Sequence, residues 1–191
     1  HKLSPDYFEV ARVMAYLHQQ NGAISDAREQ YELAIVLSPN TPQLHYWFAK
    51  FLLREEDNID DALVQIKLAH DLDPNSIEVS LTLARVYMFQ HGYDESEETL
   101  MAIAEDIGQS SEHNIKIFKD TQIQIAYRRA DDFAQKGEYT DAMNFLEEMR
   151  NLFDELPDFY KDIHIRKKLS KCDFLLKTIS RRSEEHTSEL Q

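Results

Sequence analysis

The chain is poor in cysteine, glycine and proline, and it lacks long apolar runs. One cysteine in 191 residues excludes an internal disulfide and suits a reducing compartment, so we expect a cytoplasmic location. Four glycines and five prolines are too few for a loop-rich fold, and they stand between helical runs. No window approaches the roughly eighteen uncharged apolar residues that a membrane span requires. We therefore expect a protein without a membrane partner.

Basic residues are also scarce in relation to acidic ones. The 21 Lys and Arg residues face 35 Asp and Glu residues, which gives a formal net charge of −14. Such a charge repels phosphates, so we predict no nucleic-acid partner. Binding of single-stranded nucleic acid stays open as a third, disfavoured hypothesis.

A pattern that returns at a fixed interval is the strongest feature present. A helical run with alanines on one face is followed by a proline break, and the same layout then begins again. A period near 34 residues is typical of helix–turn–helix solenoids. Three pairs of landmarks lie 35 residues apart: Ala27 and Ala62, Ala34 and Ala69, and Pro39 and Pro74.

Cap and break residues predict where each helix begins and ends. The period slips by about a dozen residues around the polar stretch 108–113, which leads into an unusually long helix. The predicted helices are 5–20 (started by Ser4-Pro5), 25–37, 42–55, one ending at Leu72, one capped by Ser76, 93–107, the long one ending near Lys136, one from the turn at Gly137 to about Leu156, and 158–180.

The two ends of the chain are predicted separately. In the last helix, Ile165, Leu169, Cys172, Leu176 and Ile179 recur at spacings of 4, 3, 4 and 3, which predicts one apolar seam with a buried, inert thiol. Residues 182–191 resemble the translation of a sequencing adapter, so we predict a non-native tail, without which the charge is about −12. Since the chain starts without Met, we expect an internal fragment.

With its small residues, aromatic residues and closing prolines at these spacings, the chain resembles the tetratricopeptide repeat (TPR) family. The resemblance implies an all-α fold, a right-handed α-solenoid of antiparallel helix pairs with a C-terminal capping helix. Within residues 1–156 it implies about four repeats, at 8–41, 42–76, 77–110 and 123–156. The C-terminal helix is placed at 157–181, and the tail predicted above takes up 182–191.

The family's concave-surface positions carry basic and aromatic residues in this chain. In the third repeat the same positions fall on Leu81 and Met88, which we expect to be exposed. Arginine beside aromatic rings is typical of binding hot spots, and a basic lining suits an acidic peptide or a carboxylate. The alternative is that these are solvated charges and gap-filling rings. The predicted partner-binding residues are Arg12, Tyr16, Tyr46, Trp47, Lys50, Arg54, Arg85, Tyr127 and Arg128.

The resemblance predicts a non-catalytic scaffold for protein–protein interaction, which binds a peptide or partner domain in the concave groove. We predict no catalytic residue, cofactor or metal, because the sequence has no phosphate-binding loop, no nucleophile elbow and no paired histidines. His45 is predicted to be packed or half-exposed. As an alternative, the chain is the sensing or autoinhibitory arm of a larger signalling NTPase. The oligomeric state stays open.

Overall fold

The computed structural model describes residues 7–158, 161 and 163–189, and all regular structure in these ranges is helical. The predicted helix start at Ser4-Pro5 lies outside the described residues. Over the described part of the chain, no helix has the length and apolar character needed to span a bilayer. The prediction of an all-α repeat solenoid is confirmed.

The described residues form nine α-helices and include a short 3₁₀ turn between two of them. The 3₁₀ turn, Ile107–Gln109, separates the sixth helix from the seventh. The helices are α1 (Tyr7–Gln20), α2 (Ile24–Leu37), α3 (Pro42–Glu55), α4 (Ile59–Leu72), α5 (Ile77–Phe89), α6 (Tyr93–Ala102), α7 (Glu112–Lys136), α8 (Tyr139–Asp154) and α9 (Ile163–Glu189).

Side-chain caps explain why several helices begin where they do. The Asn58 side chain accepts a hydrogen bond from the main-chain N–H of Asp61 at 3.1 Å and caps α4. Ser76 caps α5 and Ser111 caps α7 in the same manner. These side chains satisfy N–H groups that lack a partner within the helix. The predicted helix starts are confirmed at Ser76, which caps α5, and at Pro42, which occupies the first turn of α3 without a side-chain cap.

The first helix of each pair ends in a residue with a left-handed backbone. Gly22 (φ 74°) follows α1 and Gly137 (φ 81°) follows α7. Asp57 (φ 49°) and His91 (φ 61°) hold the corresponding places after α3 and α5. Glycine adopts this conformation without strain, whereas other residues pay a steric cost.

The chain divides into two compact units, residues 1–90 and 91–191. In the first unit, α1 pairs with α2, α3 pairs with α4, and α5 packs on α4. Its core joins small residues to large ones: Ala15, Ala27 and Ala62 surround Tyr31 and the rings of Phe48 and Phe51. Alanines at helix crossings let the helices approach closely, and the aromatic rings fill the space beside them.

In the second unit, α7 pairs with α8, and α9 packs mainly on α8. Ala130, Ala142 and Leu146 form the centre of its core. Four of the five predicted seam residues of the last helix contact this core: Leu169, Cys172, Leu176 and Ile179. The fifth, Ile165, has a side chain outside the described residues.

Two helices, α6 and α9, differ in length from the prediction. α6 stops at Ala102 instead of Ile107, because the following N–H groups bond to carbonyls three residues back, as those of Ile103 and Ala104 do to Leu100 and Met101. This tightens the chain into 3₁₀ geometry. The last helix begins at Ile163 and continues through the predicted tail to Glu189. The repeat boundaries and the origin of the tail stay predictions.

Candidate functional site

The first helices of the pairs in the first unit share one register. Ala15, Ala49 and Ala84 are fully buried at equivalent positions of α1, α3 and α5. The residue after each alanine is exposed, and these residues are Tyr16, Lys50 and Arg85. We call these three the first-helix row. It places two cations and one aromatic ring on equivalent faces of successive first helices.

Arg12 and Trp47 connect α1 to α3. The Arg12 guanidinium lies 4.6 Å from the centroid of the Trp47 ring, within the range of a cation–π interaction. Arg12 also donates a hydrogen bond to Glu9 at 2.7 Å, so its charge is locally balanced. Trp47 is half-buried and packs on the core clusters of this unit. Because Glu9 balances the Arg12 guanidinium, this surface carries less free positive charge than the sequence predicts.

A cleft of about 190 Å³ opens beside Trp47. Lys50 Nζ lies 5.1 Å from the ring centroid of Tyr46, which is one of the lining residues. Two carboxylate residues also line it, which makes the cleft itself mildly acidic. Its lining residues are Pro42, Gln43, Tyr46, Trp47, Asp73, Ser76, Glu78 and Val79.

Three further predicted positions on the first helices differ from the expectation of a basic, exposed lining. Arg54 is exposed, but its Nε lies 3.1 Å from a carboxylate oxygen of Glu55, which balances its charge. Leu81 and Met88 were predicted to be exposed, and both are buried. α5 buries residues on more than one face, whereas the family pattern assigns these two positions to the surface.

Tyr127 and Arg128 belong to the second unit. Both are half-buried, and Tyr127 packs against the core that contains Ile123 and Cys172. Burial raises the pKa of Tyr127, the charge of Asp131 adds to this, and the charge of Arg128 opposes it. Seven of the nine predicted residues therefore lie in the first unit.

Sequence reasoning missed an ionic cluster around Arg28. Its guanidinium donates to both carboxylate oxygens of Glu56, with Nε at 3.0 and 3.1 Å, and it lies 5.8 Å from the Phe48 ring centroid. Glu32 and Asp61 are further partners. The bond to Glu56 is the largest of the interactions that raise the pKa of Arg28. Glu56 and Asp61 are 28 and 33 residues away in sequence, so no local pattern reveals these two partners.

A second missed cluster connects α6 to α7. Arg129 lies between the rings of Tyr93 and Phe145, at 5.7 and 5.3 Å, and its terminal nitrogen is 3.0 Å from Glu97. Asp94 is a further partner of the same nitrogen. Only 14% of the Arg129 side chain is exposed. A planar guanidinium that stacks and forms ion pairs in this way holds two helices together.

Asp132 lies beside this cluster and accepts two hydrogen bonds. The Tyr93 hydroxyl donates to its Oδ2 at 2.7 Å, and Nδ1 of His91 is 2.8 Å from the same oxygen. Burial acts to raise the pKa of Asp132, but these two bonds and the nearby charges outweigh burial, and the pKa is lowered. Burial and the Asp132 contact raise the pKa of Tyr93.

His45 and Cys172 are packed residues, as predicted. His45 is buried, with Nδ1 2.8 Å from Gln65 and Nε2 2.8 Å from the carbonyl oxygen of Pro39. Cys172 is buried, and its thiol donates to the Leu146 carbonyl at 3.5 Å. Burial raises the pKa of this thiol to about 11. Within the described ranges, no three potential ligands cluster to hold a metal ion.

Comparison with known proteins agrees with this architecture. The tetratricopeptide repeat family model matches residues 53–114. No curated protein matches the chain in sequence. Solved structures do resemble it in fold, at low sequence identity.

Three of these structures illustrate the likeness. A tetratricopeptide repeat protein from Parabacteroides merdae has a TM-score of 0.67 at 12% identity, with 93% of this chain and 62% of that chain covered. The chain thus spans less than two thirds of that protein. MamA has a TM-score of 0.57 at 14% identity, with 96% and 95% covered. A Podosopora anserina protein with nearly identical TPR-like repeats has 0.54 at 14%, with both chains covered in full.

Proposed function

We propose that the first unit of this chain, which resembles tetratricopeptide repeat proteins in its fold and matches their family model over residues 53–114, binds a peptide that combines an apolar side chain with nearby carboxylates. Repeat proteins of this type serve as scaffolds for protein–protein contacts, through the surface that their stacked helices form. The site is the face of α1, α3 and α5 that carries the first-helix row and the Trp47 cleft. No step of catalysis is part of this proposal.

The observation that carries the proposal is the cleft lined by Tyr46 and Trp47, with the Lys50 ammonium group beside the Tyr46 ring. Its volume of about 190 Å³ suits one side chain of a ligand rather than a whole small molecule. Aromatic walls favour an apolar side chain there. Asp73 and Glu78 repel an acidic group inside the cleft, so the carboxylates of the ligand must lie outside it.

Lys50 and Arg85 are the cations that best suit those carboxylates. Both are exposed and occupy equivalent positions on neighbouring first helices. Arg12 and Arg54 are already balanced by Glu9 and Glu55. Solvent-exposed ion pairs contribute about 0.2–1 kcal/mol each, so two of them change the affinity by about twofold to thirtyfold. The cleft therefore supplies affinity, and the cations supply preference for acidic ligands.

Trp47 is the one tryptophan of the chain and reports directly on this site. We would titrate the protein with short synthetic peptides that carry one Leu or Phe beside three Glu residues, and with the same peptides with Gln in place of Glu. The acidic peptides should change the Trp47 fluorescence at lower concentration. Lys50→Glu/Arg85→Glu should weaken their binding about tenfold.

A control variant with the same charge change separates local from global electrostatics. Lys171 and Lys177 are exposed on α9 in the second unit, so Lys171→Glu/Lys177→Glu should leave the binding unchanged. Equal binding of Glu and Gln peptides would overturn the preference for acidic ligands. Equal losses in the two double variants would show that net charge, and not this site, sets the affinity.

A further inference from the structure

α9 carries a basic face with one aromatic ring at its centre. Lys167, Lys171, Phe174, Lys177 and Arg181 are all exposed, and the Phe174 side chain is 69% exposed. Their spacings of 4, 3, 3 and 4 place them on one side of the helix, opposite the buried seam of the same helix. We call these five residues the α9 face. They stand out in a chain whose formal net charge is −14.

The charges of the α9 face are not balanced within the chain. None of its four cations forms an ion pair with another residue in the described ranges. Asp173 is the acidic residue nearest to them in sequence, and its Oδ1 lies 3.8 Å from Nη1 of Arg150 on α8. An exposed ring between free cations is typical of a contact surface, and its chemistry suits a partner with an apolar centre and carboxylates at both ends.

α4 presents this complementary arrangement on its exposed side. Val64 and Leu68 are 55% and 42% exposed, Asp60 lies four residues before Val64, and Asp71 lies three residues after Leu68. We call these four residues the α4 stripe. Gln90 donates a hydrogen bond to Asp60 at 2.7 Å but brings no charge. Neither carboxylate of the stripe has a cationic partner among the described residues.

The α4 helix also carries one lysine, which does not neutralise the stripe. Lys67 Nζ lies 5.2 Å from the ring centroid of Tyr87, so this cation is directed towards α5. The unbalanced charges at the two ends of the α4 stripe are therefore negative.

The two surfaces match in length as well as in charge. A helix rises about 1.5 Å per residue, so the α9 face is about 21 Å long and the α4 stripe is about 17 Å long. Lys and Arg side chains are long enough to make up the difference. When Phe174 lies on Val64 and Leu68, cations of the α9 face therefore stand opposite a carboxylate at each end.

We propose that the α9 face of one chain binds the α4 stripe of a second copy of the chain. Each surface supplies the charges that the other lacks, and every copy carries one of each. Because the two surfaces differ and belong to different units, the contact is head-to-tail, and it joins copies in an open series or closes them into a ring. The contact does not involve the first-helix row, so this proposal does not rest on the proposed function.

The expected association is weak and depends on concentration. Interfaces that bury less than about 1,200 Å² belong to transient complexes, and a contact of five side chains with four is of that small kind. Two copies repel one another through their net negative charge. At about 0.15 M ionic strength that repulsion is screened beyond about 8 Å, whereas the contact itself is not.

A charge exchange between the two surfaces tests the proposal in the complete chain. The weight-average mass from sedimentation equilibrium should rise with concentration beyond that of a dimer. Lys171→Glu/Lys177→Glu should weaken the association about tenfold. Asp60→Lys/Asp71→Lys should weaken it as well, although it makes the chain less negative. An equal mixture of the two variants should associate again, because each altered surface then meets its opposite charge.

The aromatic centre of the α9 face has a matched control. Phe174→Ser should weaken the association, and Met101→Ser, at a position on α6 that is 75% exposed, should leave it unchanged. Both positions are exposed, so neither change should disturb folding.

Four results would overturn the proposal. One is a wild-type chain that stays monomeric at every concentration, and another is a mixture of the two charge variants, both folded by circular dichroism, that does not associate. Stronger association of Asp60→Lys/Asp71→Lys than of wild type would show that net charge governs the contact. A monomeric chain that binds phosphatidylserine vesicles, and loses this binding in Lys171→Glu/Lys177→Glu, would assign the α9 face to lipid.

Discussion

At the residue scale, some turn positions require a left-handed backbone conformation even where there is room for a side chain. Gly22 and Gly108 both have open space where a Cβ atom would lie, since no atom stands within 4 Å of it. They differ in backbone conformation, because Gly22 has φ +74° and Gly108 lies outside the left-handed region. The pair therefore separates conformational strain from steric crowding.

Gly22→Ala should lower the free energy of unfolding by about 1 kcal/mol, because an L-residue pays about that much to enter the left-handed region. Gly108→Ala should leave it unchanged or raise it slightly, since the folded chain has room for the methyl group. Urea unfolding followed by circular dichroism measures both. Equal values for the two variants would mean that the turn after α1 adopts another conformation once glycine is removed.

At the candidate site, the sequence predicted which residue types are present better than it predicted their charge pairing and burial. The family pattern led to Trp47 and Tyr46, which line one cleft, and to Lys50, whose ammonium group lies beside the Tyr46 ring. It did not reveal that Glu9 balances Arg12 or that Glu55 balances Arg54, because charge pairing depends on rotamers. It also assigned Leu81 and Met88 to the surface, although both are buried. Periodicity within one helix reports one packed face and does not reveal a second.

At the scale of elements, α6 and α7 are connected by polar groups rather than by apolar contact alone. Asp132 on α7 forms hydrogen bonds with Tyr93, at the start of α6, and with His91, in the turn before α6. Its pKa is lowered from the ordinary 3.8 by these bonds and by the charges of His91 and Lys136. Folding therefore stabilises the ionised form of Asp132. That stabilisation is present above about pH 4 and is lost as the pH falls through the folded-state pKa.

Asp132→Asn should lower the free energy of unfolding at pH 7 by about 1 kcal/mol, because the amide carries no charge and accepts a weaker bond from Tyr93. The difference from wild type should shrink as the pH falls below about 4, where the wild-type carboxylate also becomes neutral. Asp131→Asn, on the same helix, provides the control. Denaturant titrations at several pH values measure both variants, and a difference that grows on acidification would contradict the assignment.

The helices were largely predictable because the signals that start and end them lie close together in the sequence. Caps such as Ser76 and turn residues such as Gly137 act within one turn of chain, so the sequence shows them. The Arg28 and Arg129 clusters join positions some 30 residues apart, and only the fold brings their partners together. α6 ends early through main-chain bonding of the 3₁₀ type, which carries no side-chain signature that we recognise.

For the whole molecule, net charge and local chemistry lead to opposite expectations about nucleic acid. The chain has a formal charge of −14, which repels a phosphate backbone. The first-helix row and Trp47 nevertheless combine cations with aromatic rings, as proteins that bind single strands do. At about 0.15 M ionic strength charges are screened beyond about 8 Å, so the acidic residues of distant faces contribute little there.

The number of free cations decides between the two expectations. Affinity for single strands depends on releasing counterions from several phosphates at once, and Lys50 and Arg85 are the two cations left unbalanced among Arg12, Lys50, Arg54 and Arg85. A labelled oligothymidine should therefore show no change in fluorescence anisotropy at physiological salt, in the same protein samples whose Trp47 fluorescence responds to acidic peptides. Binding that weakens steeply with salt and disappears in Lys50→Glu/Arg85→Glu would reverse this conclusion and assign the face to nucleic acid.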